Sequence, residues 1–323
     1  MTQKALRLGT RRSMLAMAQS GQVADAVRQV TGRPVELVEI TTYGDTSREH
    51  LAQIGGTGVF VTALRDALLS GEVDFAVHSL KDLPTAQPDD LVLAAVPVRE
   101  DPRDVLVARD GLTLTELAAA EGRPVRIGTG SPRRMSQLNA YARSHGLAVE
   151  TVPIRGNIDT RIGFAHSGEL DAVVLAAAGL NRIGRIGEVT DFLPVDTMLP
   201  APGQGALAIE CTAADADLAA ALAELDDPYT RVAVTAERSL LAALEAGCSA
   251  PVGAYADLLA DGQVVHEMRL RGVVGTTDGS TLVQLSITGP VPASHDEAVA
   301  LGRELAVEML AKGAAGLMGE RAL

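Results

Sequence analysis

The sequence predicts an α/β protein in which two related domains are followed by a smaller α+β domain. Three observations lead there: a strand pattern that occurs twice in the same order, helix-length stretches between successive strands, and a switch to hairpin spacing after about residue 224. A chain of 323 residues has room for two or three cores of ordinary size.

The repeat can be followed segment by segment. Arg7-Leu8-Gly9-Thr10 recurs as Arg126-Ile127-Gly128-Thr129, and each copy turns into a helix. Residues 35–40 (VELVEI) correspond to 149–154 (VETVPI), and 71–77 (GEVDFAV) to 168–174 (GELDAVV). The last pair are apolar runs entered after a helix that ends near glycine. Short strands alternating with helices of ten or more residues make right-handed βαβ units, so each domain should hold a mainly parallel sheet. Ligands of such sheets sit beyond the carboxyl ends of the strands, which gives most weight to the residues just after each repeated strand. The copies are unequal: Ile40 to Gly71 spans 31 positions and Ile154 to Gly168 spans 14, leaving 17 additional residues around 43–59 in the first domain. With Gly44, Gly55, Gly56 and Gly58, this insertion reads as a mobile loop beside the ligand site, or as a passive surface excursion.

After residue 224 a helix near 230–246 leads to Cys248. Strand-like runs at 251–259, 263–274 and 280–287 follow, separated by Asp261-Gly262 and Asp278-Gly279, which signal hairpins. A helix near 294–312 completes the domain. Leu199-Pro200-Ala201-Pro202-Gly203-Gln204 reads as a linker, and the apolar run that ends at Cys211 reads as a buried strand that crosses back into the first sheet. The expected domains are therefore 1–99 with 199–219, 103–196, and 224–323.

Composition narrows the function. Hydrophobic residues are 47% and charged ones 21%, which excludes a disordered or fibrous chain. Aromatics are only 2%, so base-stacking platforms are not expected, and a net charge of −13 without a basic run repels polyanions such as nucleic acid. The N-terminal residues lack a stretch of signal-peptide length, and no segment approaches the roughly 20 apolar residues of a membrane span. The expectation is a cytoplasmic protein with no nucleic-acid or membrane partner and no metal, whose Cys211 and Cys248 are not paired.

Against that acidic background, arginines recur at the expected ligand ends of strands. Ser131 suits an N-cap and Pro132 a first helical position, yet Arg133 and Arg134 then fill the first turn, where cations oppose the helix dipole unless an anion binds. Arg11, Arg12 and Ser13 repeat the arrangement in the first domain. Arg155 and Arg161 follow the next strand, and Arg182 follows the one after. Arginine suits two-point recognition of carboxylate or phosphate, so the set reads as a site for a small ligand with many negative groups. Each arginine taken singly is equally consistent with a solvated or paired surface charge. No phosphate loop or complete dinucleotide fingerprint is present. His78-Ser79-Leu80-Lys81-Asp82 follows a strand of the first domain, and its polar groups are expected to point to the ligand. Asp82, one acid among bases, is either a proton-transfer and charge-stabilising group or an ion-pair partner. Cys248, flanked by Gly247 and Ser249, is either an attachment point or a plain free cysteine, whereas Cys211 reads as a small buried hydrophobe.

Taken together, the segments at 78–84, 128–134, 155–161 and 200–211 and the Gly247-Cys248 pair resemble the hydroxymethylbilane synthase (porphobilinogen deaminase) family. All occur in the family's order, strongly over about 5–260. The resemblance implies two periplasmic-binding-protein-like domains and a third that carries, through Cys248, a covalent dipyrromethane cofactor. It implies stepwise condensation of four porphobilinogen molecules on that primer with loss of ammonia, then hydrolytic release of the linear tetrapyrrole. Asp82 would be the catalytic residue. Lys81, Ser79, Thr129, Ser131, Arg133, Arg134 and Arg155 would hold the cofactor. Arg11, Ser13, Arg155, Arg161 and Arg182 would hold substrate carboxylates, in a monomer. The chain departs from the family with Gln53 and Thr57 where lysines are common, and with Met14 after Ser13. The competing reading is a non-enzymatic two-domain binding protein for a small polyanion.

Overall fold

A computed structural model describes residues 4–41, 58–120, 122–246, 250–261 and 264–318. The insertion around 43–59, with Gln53 and Thr57, lies outside the described residues up to Thr57, and so do Gly262 and the stretch 247–249 that contains Cys248.

The chain opens with β1 (Leu6–Thr10), α1 (Met14–Thr31), β2 (Val35–Glu39), α2 (Gly58–Leu69), β3 (Phe75–Ser79) and β4 (Leu91–Ala95). It then builds a second sheet from β5 (Asp104–Ala108), α3 (Leu114–Ala120), β6 (Val125–Gly128), α4 (Pro132–Ser144), β7 (Val149–Val152), α5 (Ile158–His166), β8 (Ala172–Ala176), α6 (Ala177–Arg182) and β9 (Asp191–Phe192). β10 (Leu207–Thr212) returns to the first sheet, followed by α7 (Ala216–Ala223) and α8 (Pro228–Ala243). The meander β11 (Val252–Asp261), β12 (Val264–Gly275) and β13 (Leu282–Pro290) and the helix α9 (His295–Ala311) complete the order.

The two five-stranded sheets repeat one another strand for strand: β2-β1-β3-β10-β4 and β7-β6-β8-β5-β9. In each, three strands pair in parallel at one side, as a βαβ pattern dictates. A fourth strand is then inserted in the opposite direction: β10 is antiparallel to β3 and β4, and β5 to β8 and β9. The mainly parallel expectation thus holds for four strands of each sheet. The fifth is reversed in each: β5 and β10 enter directly from the other unit of the chain instead of after a helix of their own.

Helices cover both faces of each sheet, which is why the strands read as continuous apolar runs. On the first sheet, Val23, Ala24 and Val27 of α1 and Leu218 and Leu222 of α7 pack on one face, while Leu64 and Leu68 of α2 close the other. On the second, Leu117 and Leu138 pack on one face and Ile162 and Leu180 on the other. The meander buries Leu270 and Val274 against Leu240 of α8 and Leu305 and Met309 of α9. Ser294 caps α9, accepting a hydrogen bond from the Glu297 N–H.

By contact density the chain forms two compact units, 1–100 with 205–231 and 101–204 with 232–323. The return segment joins the first unit from Gly205 onward, whereas Leu199 and Gln204 are bonded to residues of the second.

Candidate functional site

In each sheet the three parallel strands bring their carboxyl ends to one edge, and the sequence-predicted residues follow those ends. In the first unit, Arg11 and Ser13 follow β1, and Ser79, Lys81 and Asp82 close β3 in a single tight turn over Leu80–Asp82. Ser13 caps α1, its oxygen accepting from the Ala16 N–H at 3.3 Å. Ser79 exchanges hydrogen bonds with the amide of the buried Gln19, with Nε2 to Oγ at 3.0 Å. Lys81 and Asp82 are half-buried. Arg12, also just after β1, is exposed and pairs through Nε with Glu39 at the end of β2, at 2.9 Å.

His78 departs from expectation. It belongs to β3 itself and is 5% exposed, with Nε2 3.3 Å from Oε2 of Glu210. The strand has not ended at His78, so its side chain is inside the sheet packing, and only the residues from Ser79 onward reach the carboxyl edge. Glu210 of β10 is fully buried and also accepts from Arg65 Nη2 at 2.8 Å and Gln87 Nε2 at 3.2 Å. Burial alone would raise its pKa, but His78 and Arg65 outweigh that and hold the carboxyl down at about 2.

In the second unit, Ser131 caps α4 as predicted, accepting from the Arg134 N–H. Thr129 is fully buried, and its hydroxyl oxygen accepts from the Ser131 N–H at 3.2 Å. Gly130 has a specific reason to be glycine: a Cβ there would lie 2.6 Å from the Ile154 carbonyl oxygen. That close passage brings the Ser131 turn beside the segment where Arg155 begins. Arg155 is exposed, Arg161 donates from Nε to the Gly156 carbonyl at 2.8 Å, and Arg182 ends α6 half-buried.

Arg133 and Arg134 are instead buried, at 4% and 5% exposure, and both meet Asp104, the first residue of β5. Arg133 Nη1 donates to Asp104 Oδ2 at 2.7 Å and to the Leu199 carbonyl at 2.7 Å. Arg134 donates through Nε and Nη2 to Asp104 Oδ1, at 3.1 and 2.8 Å, and through Nη1 to the Val174 carbonyl. Gln204 Nε2 also donates to Asp104 Oδ1 at 2.9 Å, and Gln137 brackets the Leu199 backbone. Burial would raise the Asp104 pKa, but the charges and hydrogen bonds of the two arginines hold it well below the usual carboxylate range. Two guanidiniums share one carboxylate, so this buried group carries one excess positive charge and suits a ligand with carboxylates. Asp104, Gln137 and Gln204 escape sequence reading, although an acid opening an otherwise apolar strand (DVLVA) is a visible signal.

Cys211 is fully buried in β10, where burial pushes its thiol up to about 11. The described residues contain no group of acids, histidines and cysteines able to hold a metal, and no helix among them is long and apolar enough to cross a membrane.

Comparison with known proteins accounts for both units. Residues 6–220 match the family described as porphobilinogen deaminase, dipyromethane cofactor binding domain, and residues 231–311 match the porphobilinogen deaminase C-terminal domain. The chain is 86% identical over 322 residues to porphobilinogen deaminase 1 of Streptomyces avermitilis, covering 99% of each protein. It is 55% identical over 320 residues to the porphobilinogen deaminase of Thermobifida fusca, covering 98% of this chain and 96% of that one. Among solved structures, the immunogenic lipoprotein A of Vibrio vulnificus aligns with a TM-score of 0.41 at 12% identity, over 68% of this chain and 94% of that one. By its sequence along almost its whole length, the chain belongs to the porphobilinogen deaminase family.

Proposed function

We propose that the chain condenses four porphobilinogen molecules head to tail on a covalent dipyrromethane primer, releasing one ammonia per unit, and then frees hydroxymethylbilane by hydrolysis. The observation that carries this reading beyond the family match is the buried Arg133-Arg134-Asp104 group, whose excess positive charge fits a cofactor that bears acetate and propionate groups. A neutral or cationic ligand would leave that charge unmet. The family match does not favour the non-enzymatic binder.

The division of labour follows from the types of side chain. Cys248 attaches the cofactor, and Ser79, Lys81, Thr129, Ser131, Arg133, Arg134 and Arg155 hold it. When bound, the cofactor supplies the terminal pyrrole carbon that is extended. Arg11, Ser13, Arg155, Arg161 and Arg182 take the carboxylates of the incoming and added units, each by charge-assisted hydrogen bonds. Asp82 would be the acid that serves the condensation. Loss of ammonia from porphobilinogen leaves an electron-poor methylene, and the Asp82 carboxylate would stabilise that positive charge and move the proton. The chain divides into three domains, 1–99 with 199–219, 103–196 and 224–323, and works as a monomer in the cytoplasm.

Intact mass of the purified chain tests the reading. The wild type should carry an excess equal to two linked pyrroles, and Cys248→Ser should lack it. An unmodified wild-type mass, together with no colour with an aldehyde reagent for pyrroles, refutes it.

A further inference from the structure

Asp104 is not among the residues through which the proposed reaction operates, yet it organises two of them. It is fully buried at the start of β5, and four hydrogen bonds from three side chains converge on its two oxygens. Arg134 puts all three of its nitrogens into bonds within the protein. Arg133 is different: both of its bonds leave from Nη1, one to Asp104 and one to the Leu199 carbonyl. The opposite edge of that guanidinium, formed by Nε and Nη2, is the geometry that grips a carboxylate at two points. Charge agrees with geometry, since Asp104 cancels one of two buried positive charges and leaves one.

We infer that Asp104 is a positioning residue for cofactor attachment, turning Arg133 so that its Nε–Nη2 edge takes one carboxylate of the pyrrole cofactor. This rests on the reading of Arg133 as a cofactor-binding residue and adds the group that aims it. Without Asp104, two like charges share a buried space with no anchor, and Arg133 keeps only the Leu199 carbonyl. Loss of a partner that orients a liganding side chain typically costs about 10–100-fold.

The experiment measures how fast full-length apoprotein, incubated with porphobilinogen, gains the dipyrromethane mass. It compares the wild type with Asp104→Asn, Arg133→Gln and the double variant, and the thermal midpoint of each chain is recorded in a Cys248→Ser background. Asp104→Asn and Arg133→Gln should each slow loading by about 10-fold or more. The double variant should load no more slowly than Arg133→Gln alone, because Asp104 acts through Arg133. Multiplying effects in the double variant, or wild-type loading by Asp104→Asn beside slow loading by Arg133→Gln, would overturn the positioning role and leave the cofactor role of Arg133 standing. Wild-type loading by Arg133→Gln removes that parent role and the inference with it. If Asp104→Asn does not fold, Asp104→Glu takes its place: it keeps the charge but displaces it by one methylene, and the same outcomes decide.

Discussion

Replacing Glu210 by glutamine should destabilise the first unit by an amount the structure sets. The carboxylate is fully buried and shared by Arg65, His78 and Gln87, which join α2, β3 and the segment before β4 to the returning strand β10. Its pKa is held at about 2 against an ordinary 4.5. At 1.36 kcal/mol per pH unit that difference amounts to about 3 kcal/mol. The folded-state value is the depressed one, so this stability is fully present above pH 4.5 and is lost as pH falls from 4.5 toward about 2. Glu210→Gln should therefore lower the unfolding free energy by about 3 kcal/mol at pH 7, a drop of roughly 5–10 °C in the midpoint of the transition it affects. It should also flatten the wild-type loss of stability between pH 4.5 and 2. Calorimetric scans of both chains across that range make the comparison. Equal midpoints at pH 7, or parallel acid profiles, refute the assignment of this stability to Glu210.

Other expectations are as direct. Asp82→Asn should lower single-turnover elongation by at least about 100-fold in chains that carry the cofactor, and Asp82→Glu should retain more activity than Asn; elongation by Asn at the wild-type rate reduces Asp82 to a structural acid. Arg155→Leu and Arg182→Leu should accumulate enzyme-bound intermediates with one to three added units, seen by native electrophoresis, and normal turnover in both defeats the carboxylate-clamp reading. Cys211, buried with its thiol raised to about 11, should resist alkylation at pH 8 in the folded cofactor-bearing chain and take a single label after unfolding. Labelling of Cys211 in the folded chain contradicts that burial.

The double copy of each strand made the paired sheets legible, because Gly9 and Gly128, Ile40 and Ile154, and Val77 and Val174 occupy equivalent positions in matched segments of the same length. The cap at Ser131 was legible from its local sequence, and the structure adds Ser13 and Ser294, which cap their helices in the same way. The reversal of β5 was not legible. An apolar strand looks alike in either direction, and only its antiparallel pairing with β8 reveals it. Arginine positions were legible and their environments were not. Arg155 is exposed whereas Arg133 and Arg134 are buried on Asp104, and that difference depends on a partner some 30 residues earlier in the chain. His78 was misplaced because the end of β3 cannot be fixed to one residue from its pattern.

The reversed strand β10 also dictates the order in which the protein can be completed as it is made. β3 and β4 are separated in the first sheet by β10, yet the residues of β10 emerge only after every strand of the second sheet. At about 5–20 residues per second, the roughly 120 residues between β4 and the end of β10 take on the order of 6–25 s to synthesise. Throughout that interval β3 and β4 present unpaired backbone edges, while β5 to β9, contiguous in the chain, can close their own sheet. The first sheet, although it begins the chain, is thus finished only after the second, and a nascent chain halted before residue 207 is the form most exposed to edge pairing with its neighbours.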